Sequence, residues 1–497
     1  MQLNSAPRPL TPALALAPVA LLIALLALSV YLFGADSSYG ANQIALLFSA
    51  GAVAAVGLHL GISWQEIERG VVDSISLCLV PMLILLSVGM LIGIFILCGT
   101  IPTLVYYGVQ LLSPDIFFAA SAVICALLAV SIGSSWTVAG TMGIGLMAIA
   151  ASFDLSPAIT AGAIVSGAYF GDKLSPLSDT TNLAAATSGV DLFQHIRHML
   201  WTTVPSFAMA LLLFGLLSGG QAAAPEEISA LRQQLATSFN IGPHLLVPLL
   251  LMLFLIWRKL PALPTIVTSV MVGVVFALAF QPGAAAALAT TSAGEPVALA
   301  PLRGAWTSLF AGYSADSGNP IMDELLSKGG MASMLNTISL ILCAMAFGGA
   351  LQRVGILTFL VRAALTRVRS NGGLVSATVA TCVATNIAAA DQFMAITLPG
   401  SMYRDEFERR GLSRLNLSRT LEDSATLTSA LVPWNTCGAY MSATLGVATF
   451  NYAPFAFFNW LCPVIAIVYG YWKIAQKPLE RVPPAPAAVS SNATSQS

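Results

Sequence analysis

Along this 497-residue chain, apolar runs of about 20 residues alternate with short polar connections, and runs of that length cross a bilayer as helices. The pattern predicts full spans at about 13–33, 41–61, 75–97, 158–190, 199–218, 243–257, 261–280, 334–352, 420–447 and 454–473. The fourth and ninth carry polar interruptions. Two blocks, 115–151 and 372–403, differ from the rest: each has two apolar arms of roughly 14–17 residues around a polar tip, short for a full crossing. They read as re-entrant hairpins, which a membrane tolerates only where protein or a water-filled cavity shields the backbone.

Composition agrees with the pattern. Hydrophobic residues make up 57% of the chain and charged residues 9%, against about 25% charged in soluble domains. The net charge of −1 gives no electrostatic footprint for a nucleic acid. Ala13–Phe33 is longer than the apolar core of a signal peptide and follows a single basic residue, Arg8, so it reads as the first span. The seven cysteines are scattered through apolar segments without CxxC spacing, which argues against a metal site or a disulfide framework.

Basic residues orient the chain. With the N-terminus cytoplasmic, only Arg232, Arg303 and Lys328 of the 21 Lys and Arg fall outside, and Lys173 lies within a broken span. Both termini are then cytoplasmic. The Gly-, Ala-, Ser- and Pro-rich loop 281–333 is external, with a short surface helix at 224–235, and the tail after Lys477 has a disordered composition. Arg404 to Arg419 reads as a topology determinant.

The halves share landmarks. Gly93 and Gly349, like Gly99 and Gly355, are 256 residues apart; Gly143 and Gly400, 257; Asp172 and Asp423, 251; Trp201 and Trp460, 259. Each half reads as span, hairpin, broken span, span, the first starting from the cytoplasm and the second from outside. The expected fold is an all-α polytopic membrane protein with an inverted structural repeat, two re-entrant hairpins and two broken transmembrane helices. Its organisation is 1–74, two N-terminal helices; 75–218, first repeat; 219–333, connecting spans and external loop; 334–473, second repeat; 474–497, disordered cytoplasmic tail. Such a plan puts a transport site at the repeat interface near the midplane.

Four polar stretches converge under this plan. "SIGSSWTVAGTMG" (131–143) offers Ser134, Ser135 and Thr137 oxygens at the first tip, or simply small-residue helix packing. "GDKLSPLSDTTN" (171–182) places Asp172, Asp179, Ser178, Thr180 and Asn182 in a membrane span, where charge is a functional signal. Pro176 favours a break there. The alternative is that Asp172, Lys173 and Asp179 are structural ion-pair or surface loop residues, with Lys173 as the cation. "ATNIAAADQFMA" (384–395) supplies Thr385, Asn386 and Asp391 at the second tip. "LEDSATLTSALVPWNTCG" (421–438) supplies Asp423, Ser424, Thr428, Asn435 and Thr436, with a break expected at Pro433. Glu422 reads equally as a helix cap. This oxygen-rich set suits a small hard cation rather than a soft metal. His195 and His198 share a helical side near the inner face, as interface anchors or as a pH-sensing pair. No HExxH, GxSxG or core Ser–His pairing points to an enzyme.

"GDKLSPLSDTTNLA", "LEDSATLTSALVPWNTCGAY" and, more weakly, "GSSWTVAGTMG" resemble the motifs of NhaC-type Na⁺/H⁺ antiporters, of the ion-transporter superfamily; the resemblance covers about 75–473. It implies exchange of Na⁺ for H⁺ by alternating access across a bacterial plasma (inner) membrane, with a homodimer as the candidate assembly and no cofactor beyond the transported Na⁺ and H⁺. Carried onto this chain, it puts Asp172, Asp179 and Asn182 in the first motif, and Asp423, Thr428, Asn435 and Thr436 in the second. The site expected is one where Asp172, Asp179 and Asp423 bind Na⁺ or protons, helped by Thr180, Asn182 and Asp391. Ser134, Ser135, Thr137, Ser178, Asn386, Ser424, Thr428, Asn435 and Thr436 are the supporting oxygens. Ala425 stands where relatives often carry Gly, and the first hairpin is poorer in Gly-Thr than the family pattern. Carriers exchanging small organic acids such as malate and lactate share the resemblance and are the alternative; only Lys173 offers a basic anchor in the core.

Overall fold

A computed structural model describes residues 9–34, 37, 39–218, 225–258, 260–289, 297–316, 322–323, 326–366 and 368–479. The described residues form helices and no named strand; Leu412 and Pro478 make one isolated bridge. Among the described residues, nine helices are long and apolar enough to cross a membrane, or up to eleven if two bent pairs each count as one span. The protein is an integral membrane protein. Trp257, Trp306 and Trp472 stand exposed on its surface, as amphipathic rings do at a membrane–water interface.

Helices α1 (Pro12–Phe33) and α2 (Ala41–His59) pack together. An element the hydropathy pattern misses follows, α3 (Trp64–Ser76), amphipathic and too short to span. Ser63 and Glu66 close a reciprocal capping box at its start, satisfying amides the first turn leaves free. Then come α4 (Leu79–Leu97) and α5 (Thr100–Leu111).

The first hairpin joins α6 (Phe117–Ile132), entered through a 3₁₀ turn at Pro114–Ile116, to α7 (Ser135–Ser152), which contains a π-turn at Ala139–Gly143. Its arms, Pro114–Ile132 and Ser135–Ser152, have 19 and 18 residues. They are longer than the sequence predicts, so arm length alone no longer argues for re-entry. The first broken span is α8 (Pro157–Leu174) and α9 (Asp179–Ser188), interrupted where Pro176 leads one to expect it. After it run α10 (Leu192–Leu217), α11 (Pro225–Ser238), α12 (Val247–Trp257) and α13 (Ala262–Phe280). The segment read as a plain external loop also holds helices, α14 (Pro282–Ala287) and α15 (Ala300–Phe310), of which α15 packs on α4.

The second half opens with α16 (Leu335–Arg353) and α17 (Ile356–Leu365). Its hairpin is α18 (Asn371–Ala389) and α19 (Gln392–Arg409). Its broken span starts as α20 (Arg414–Leu421) and runs through a π-turn (Glu422–Thr426) to Ser429. It resumes as α21 (Thr436–Leu445), with Pro433 in the gap. The short α22 (Thr449–Tyr452) and α23 (Phe457–Trp472) close the bundle. Most of the tail expected to be disordered, from 480 onward, lies outside the described residues.

Caps recur at one spacing. Ser134 and Asp391 each N-cap the second arm of a hairpin; Ser156 and Ser413 each N-cap a broken span; Ser178 and Asn435 each N-cap its second piece. Gly133 and Ala390 turn the two tips in the left-handed region, with φ of 76° and 58°. Gly189 and Gly446 end α9 and α21 in the same conformation, both with φ of 70° to within a degree. Every pair is 257 residues apart. At this spacing Asp172 lies opposite Ser429, and Asp423 opposite Ser166. The two aspartates that the sequence comparison paired 251 residues apart are thus not at matching positions.

Candidate functional site

Each hairpin tip packs against the break of its own half. At the first junction, Gly133 sits so close to Leu177 and Ser178 that a Cβ would lie 2.7 Å from the Leu177 backbone. A side chain there would force the tip away from the break. The tip extends at Ser134, whose Oγ accepts from the Thr137 amide, and α7 begins. Ser135 then turns both its donors onto Asp172: its amide at 3.0 Å and its hydroxyl at 2.7 Å, both to Oδ2. Oδ1 accepts no hydrogen bond from the described residues.

Beside this contact is a cavity of about 270 Å³. Its polar walls include Ser134, Ser135, Thr137, Asp172, Asp179, Thr180 and, from the second hairpin, Gln392; the starts of α4 and α13, with Trp136 and Tyr440, form much of the rest. Asp179 is exposed and sits in the first turn of α9, with Ser178 as cap. Asn182 does not reach the cavity: its amide closes the break by donating to the Pro176 and Ser178 carbonyls, at 2.9 and 2.7 Å. Ser178 is buried behind the wall, 3.1 Å from the Thr180 hydroxyl.

The second junction has the same backbone turn and different chemistry. Asp391 is buried and spends Oδ1 on the Met394 amide, 2.8 Å away, as the cap of α19. Asn386 and Asn435 dovetail: the Asn435 amide donates to Asn386 Oδ1 at 3.1 Å, while Asn386 donates to the Ala425 carbonyl and to Thr428 Oγ1. The Thr436 amide closes on the Ala390 carbonyl at 2.9 Å. Gln392 and Ser429, each 257 residues beyond Ser135 and Asp172, also touch, at 3.4 Å. Ser424 turns its hydroxyl back onto the Thr420 carbonyl. Thr385 does the same to Thr381. Gln392 lines the first cavity; Asp391, Asn386, Thr428, Asn435 and Thr436 do not.

Asp423 stands apart from the cavity. It is wholly buried and forms an ion pair with Lys173, itself wholly buried. Thr202 of α10 donates to the same Oδ1 at 2.9 Å, and Cys462 of α23 lies 3.2 Å from the ammonium. Of the ion pairs the sequence left open, Lys173 makes one, but with Asp423 rather than Asp172. Glu422, for which the sequence left a cap and a place in the span equally open, is in the broken span and fully buried, with Oε1 accepting from Thr180 at 3.0 Å. His195 and His198 are buried rather than at the surface, and His195 Nδ1 lies 2.9 Å from Ser418 Oγ. Arg419 is buried too, donating to the Ala475 carbonyl at 3.1 Å, so it is more than a surface topology signal. No cluster of three His, Cys, Asp or Glu able to hold a metal occurs among the described residues.

Over most of its length the chain is similar to known antiporters. A model of the Na⁺/H⁺ antiporter family matches residues 167–474, from just before Asp172 through both pieces of the second broken span. The chain is 37% identical over 422 residues to the Na⁺/H⁺ antiporter NhaC of Alkalihalophilus pseudofirmus strain OF4, covering 84% of this chain and 88% of that one.

The chain belongs to the Na⁺/H⁺ antiporter family.

Other members differ in cargo. The malate-2H⁺/Na⁺-lactate antiporter of Bacillus subtilis strain 168 is 35% identical over 432 residues, 86% of this chain and 89% of its own length. The arginine/ornithine antiporter ArcD of Halobacterium salinarum is 33% identical over 479 residues, 94% of each chain.

Proposed function

We propose that this antiporter exchanges Na⁺ for H⁺ at the first junction, where Asp172 and Asp179 face one cavity. That shared cavity is the observation that carries the reading. A hard cation entering it meets two carboxylates and the oxygens of Ser134, Ser135, Thr137 and Thr180, donors of the kind such cations prefer. Protons compete for the same carboxylates, so one site couples the two flows. No resident metal or cofactor is called for, and no covalent chemistry.

The positive-inside orientation places both termini, and the starts of α4 and α13, at the cytoplasmic face. The cavity then opens inward. A second cavity of about 410 Å³, lined by residues including Met147, Tyr313, Lys328, Ser442 and Gly446, lies on the external side. Between them Trp136 and Tyr440 stack with ring centroids 4.1 Å apart, and the Tyr440 hydroxyl donates to the Trp136 carbonyl at 2.9 Å. Gly140 leaves room for that contact, since a Cβ there would sit 2.7 Å from the Tyr440 oxygen.

The two halves, 75–218 and 334–473, form an inverted repeat, and the constant spacing of caps and left-handed turns supports it. One half rocking against the other exchanges the open cavity. The tips re-enter rather than cross, a reading supported by each tip's contact with the break of a span. The N-terminal pair of spans in 1–74 and the segment 219–333 frame this core, and two copies form a dimer. The second junction, with Asn386, Asp391, Ser424, Thr428, Asn435 and Thr436, is the rigid counterpart of the first, and Asp423 neutralises Lys173.

An organic-acid exchanger would need a cationic anchor for its carboxylate. Lys173 is committed to Asp423, which favours the inorganic reading. Proteoliposomes with an acid interior and a pH dye decide between them. Internal alkalinisation on adding NaCl alone is the expected result; a response that requires malate, lactate or an amino acid overturns it.

A further inference from the structure

Two adjacent acids of the second half reach opposite sides of the first break. Asp423 pairs with Lys173, at the end of α8. Glu422 takes a hydrogen bond from Thr180, in the first turn of α9. Consecutive residues of a regular helix point about 100° apart; here both lie in the π-turn Glu422–Thr426, and such turns recur at functional sites. The pair thus clasps the interruption 175–178 between them.

Hydrogen-bond polarity gives the Glu422 contact its meaning. A threonine hydroxyl has one proton and two lone pairs. The proton of Thr180 goes to Glu422 Oε1, 3.0 Å away. Ser178 Oγ, already accepting from the Thr181 amide, must then donate to Thr180. The chain of donation runs Ser178 to Thr180 to Glu422 and leaves one Thr180 lone pair for the cavity that Thr180 lines. Without Glu422 the hydroxyl would rotate freely and could present its proton, which repels a cation.

Glu422 is 0% exposed; Thr180 holds its Oε1, and Thr426 is the other hydroxyl beside its carboxylate. The charges around it are Asp172 and Lys173 across the break and Asp423 beside it. Arg419, on its own helix, lies near Asp423. The only one of these that is a cation at the break, Lys173, is taken by Asp423.

We propose that Glu422 is a positioning residue for the transported cation: it holds the Thr180 hydroxyl with its lone pair toward the cavity, and so sets cation affinity from the opposite half of the molecule. This rests on the cavity being the cation site.

The test is a double-mutant cycle in proteoliposomes, with Na⁺ as the probe and initial exchange rates giving KM and maximal rate. T180V and E422M should each raise the Na⁺ KM by about 10-fold, the size of one lost hydrogen bond to a charged partner, with the maximal rate changed much less. The double variant should be no worse than T180V, because Glu422 acts through Thr180. T180S should restore the KM lost in T180V. An unchanged KM in E422M overturns the proposal, as does a double variant in which the two effects multiply to about 100-fold. If E422M does not reconstitute, E422D runs the same cycle: its shorter side chain should raise the KM, and adding T180V should not raise it beyond T180V alone. D172N separates the two levels. Full exchange by D172N removes the cation site itself and this inference with it; loss in D172N with multiplying effects at 180 and 422 removes only this inference.

Discussion

The two hairpin–break junctions share a backbone and differ in what they can hold. At each, a left-handed residue turns the tip, an extended polar residue caps the next helix, and the following residue touches the broken span of its own half, 37 positions on. At the first junction that contact is Ser135 on Asp172, beside a cavity with a second carboxylate. At the second it is Ser429 on Gln392, and two asparagines close the space. Asp391, the one carboxylate at the second tip, is used as a cap. Neutral amides that satisfy each other rigidify a core; carboxylates left facing a cavity invite a cation. On the proposed reading, a common scaffold carries one locked end and one working end.

Removing the working carboxylates sharpens the contrast most. D172N and D179N should each abolish Na⁺-driven proton movement in vesicles while the purified protein stays monodisperse. Normal exchange by either variant would break the assignment of that residue.

The link between the ends comes next. K173M strands Asp423 without its partner in the core, which costs about 3–5 kcal/mol. K173M/D423L replaces the pair by apolar groups and should be more stable than K173M in thermal unfolding; a double variant less stable than K173M would contradict the pairing.

At the locked end, N435A removes the dovetail and the cap of α21, at about 1–3 kcal/mol for buried groups left unpaired. Its melting temperature should fall more than its Na⁺ affinity. A loss confined to affinity would make the second junction part of the cation site.

The smallest change is at the partition. Y440F deletes the hydrogen bond to the Trp136 carbonyl and keeps the ring stack, so it should cost about 0.5–1.5 kcal/mol with coupled exchange retained. Proton leak without Na⁺ would give that hydroxyl a larger part in closing the path.

Local signals carried the sequence reading a long way. Hydropathy located the main spans, and Pro176 and Pro433, with their polar neighbours, located both breaks. The helices at 64–76 and 300–310 escaped because they are short and not uniformly apolar; the Ser63–Glu66 capping box was the available clue for the first. The pairing of Asp423 with Lys173 is decided between residues 250 positions apart, and nothing in either neighbourhood announces it. Glu422 was left between two readings for a related reason. Its acidic character near a helix start reads as a cap, whereas the helix begins earlier, at Arg414, and carries it into the core. Counting matching glycines and aspartates gave spacings from 251 to 259; the caps and left-handed turns of the hairpins and broken spans share 257, and Gly99 and Gly355, also left-handed, keep 256.

Equilibrium binding of radioactive Na⁺ to the purified protein tests the central claim most directly. Saturable binding should be lost in D172N and kept in N435A. Wild-type binding by D172N, or its loss in N435A alone, would move the cation site away from the first junction.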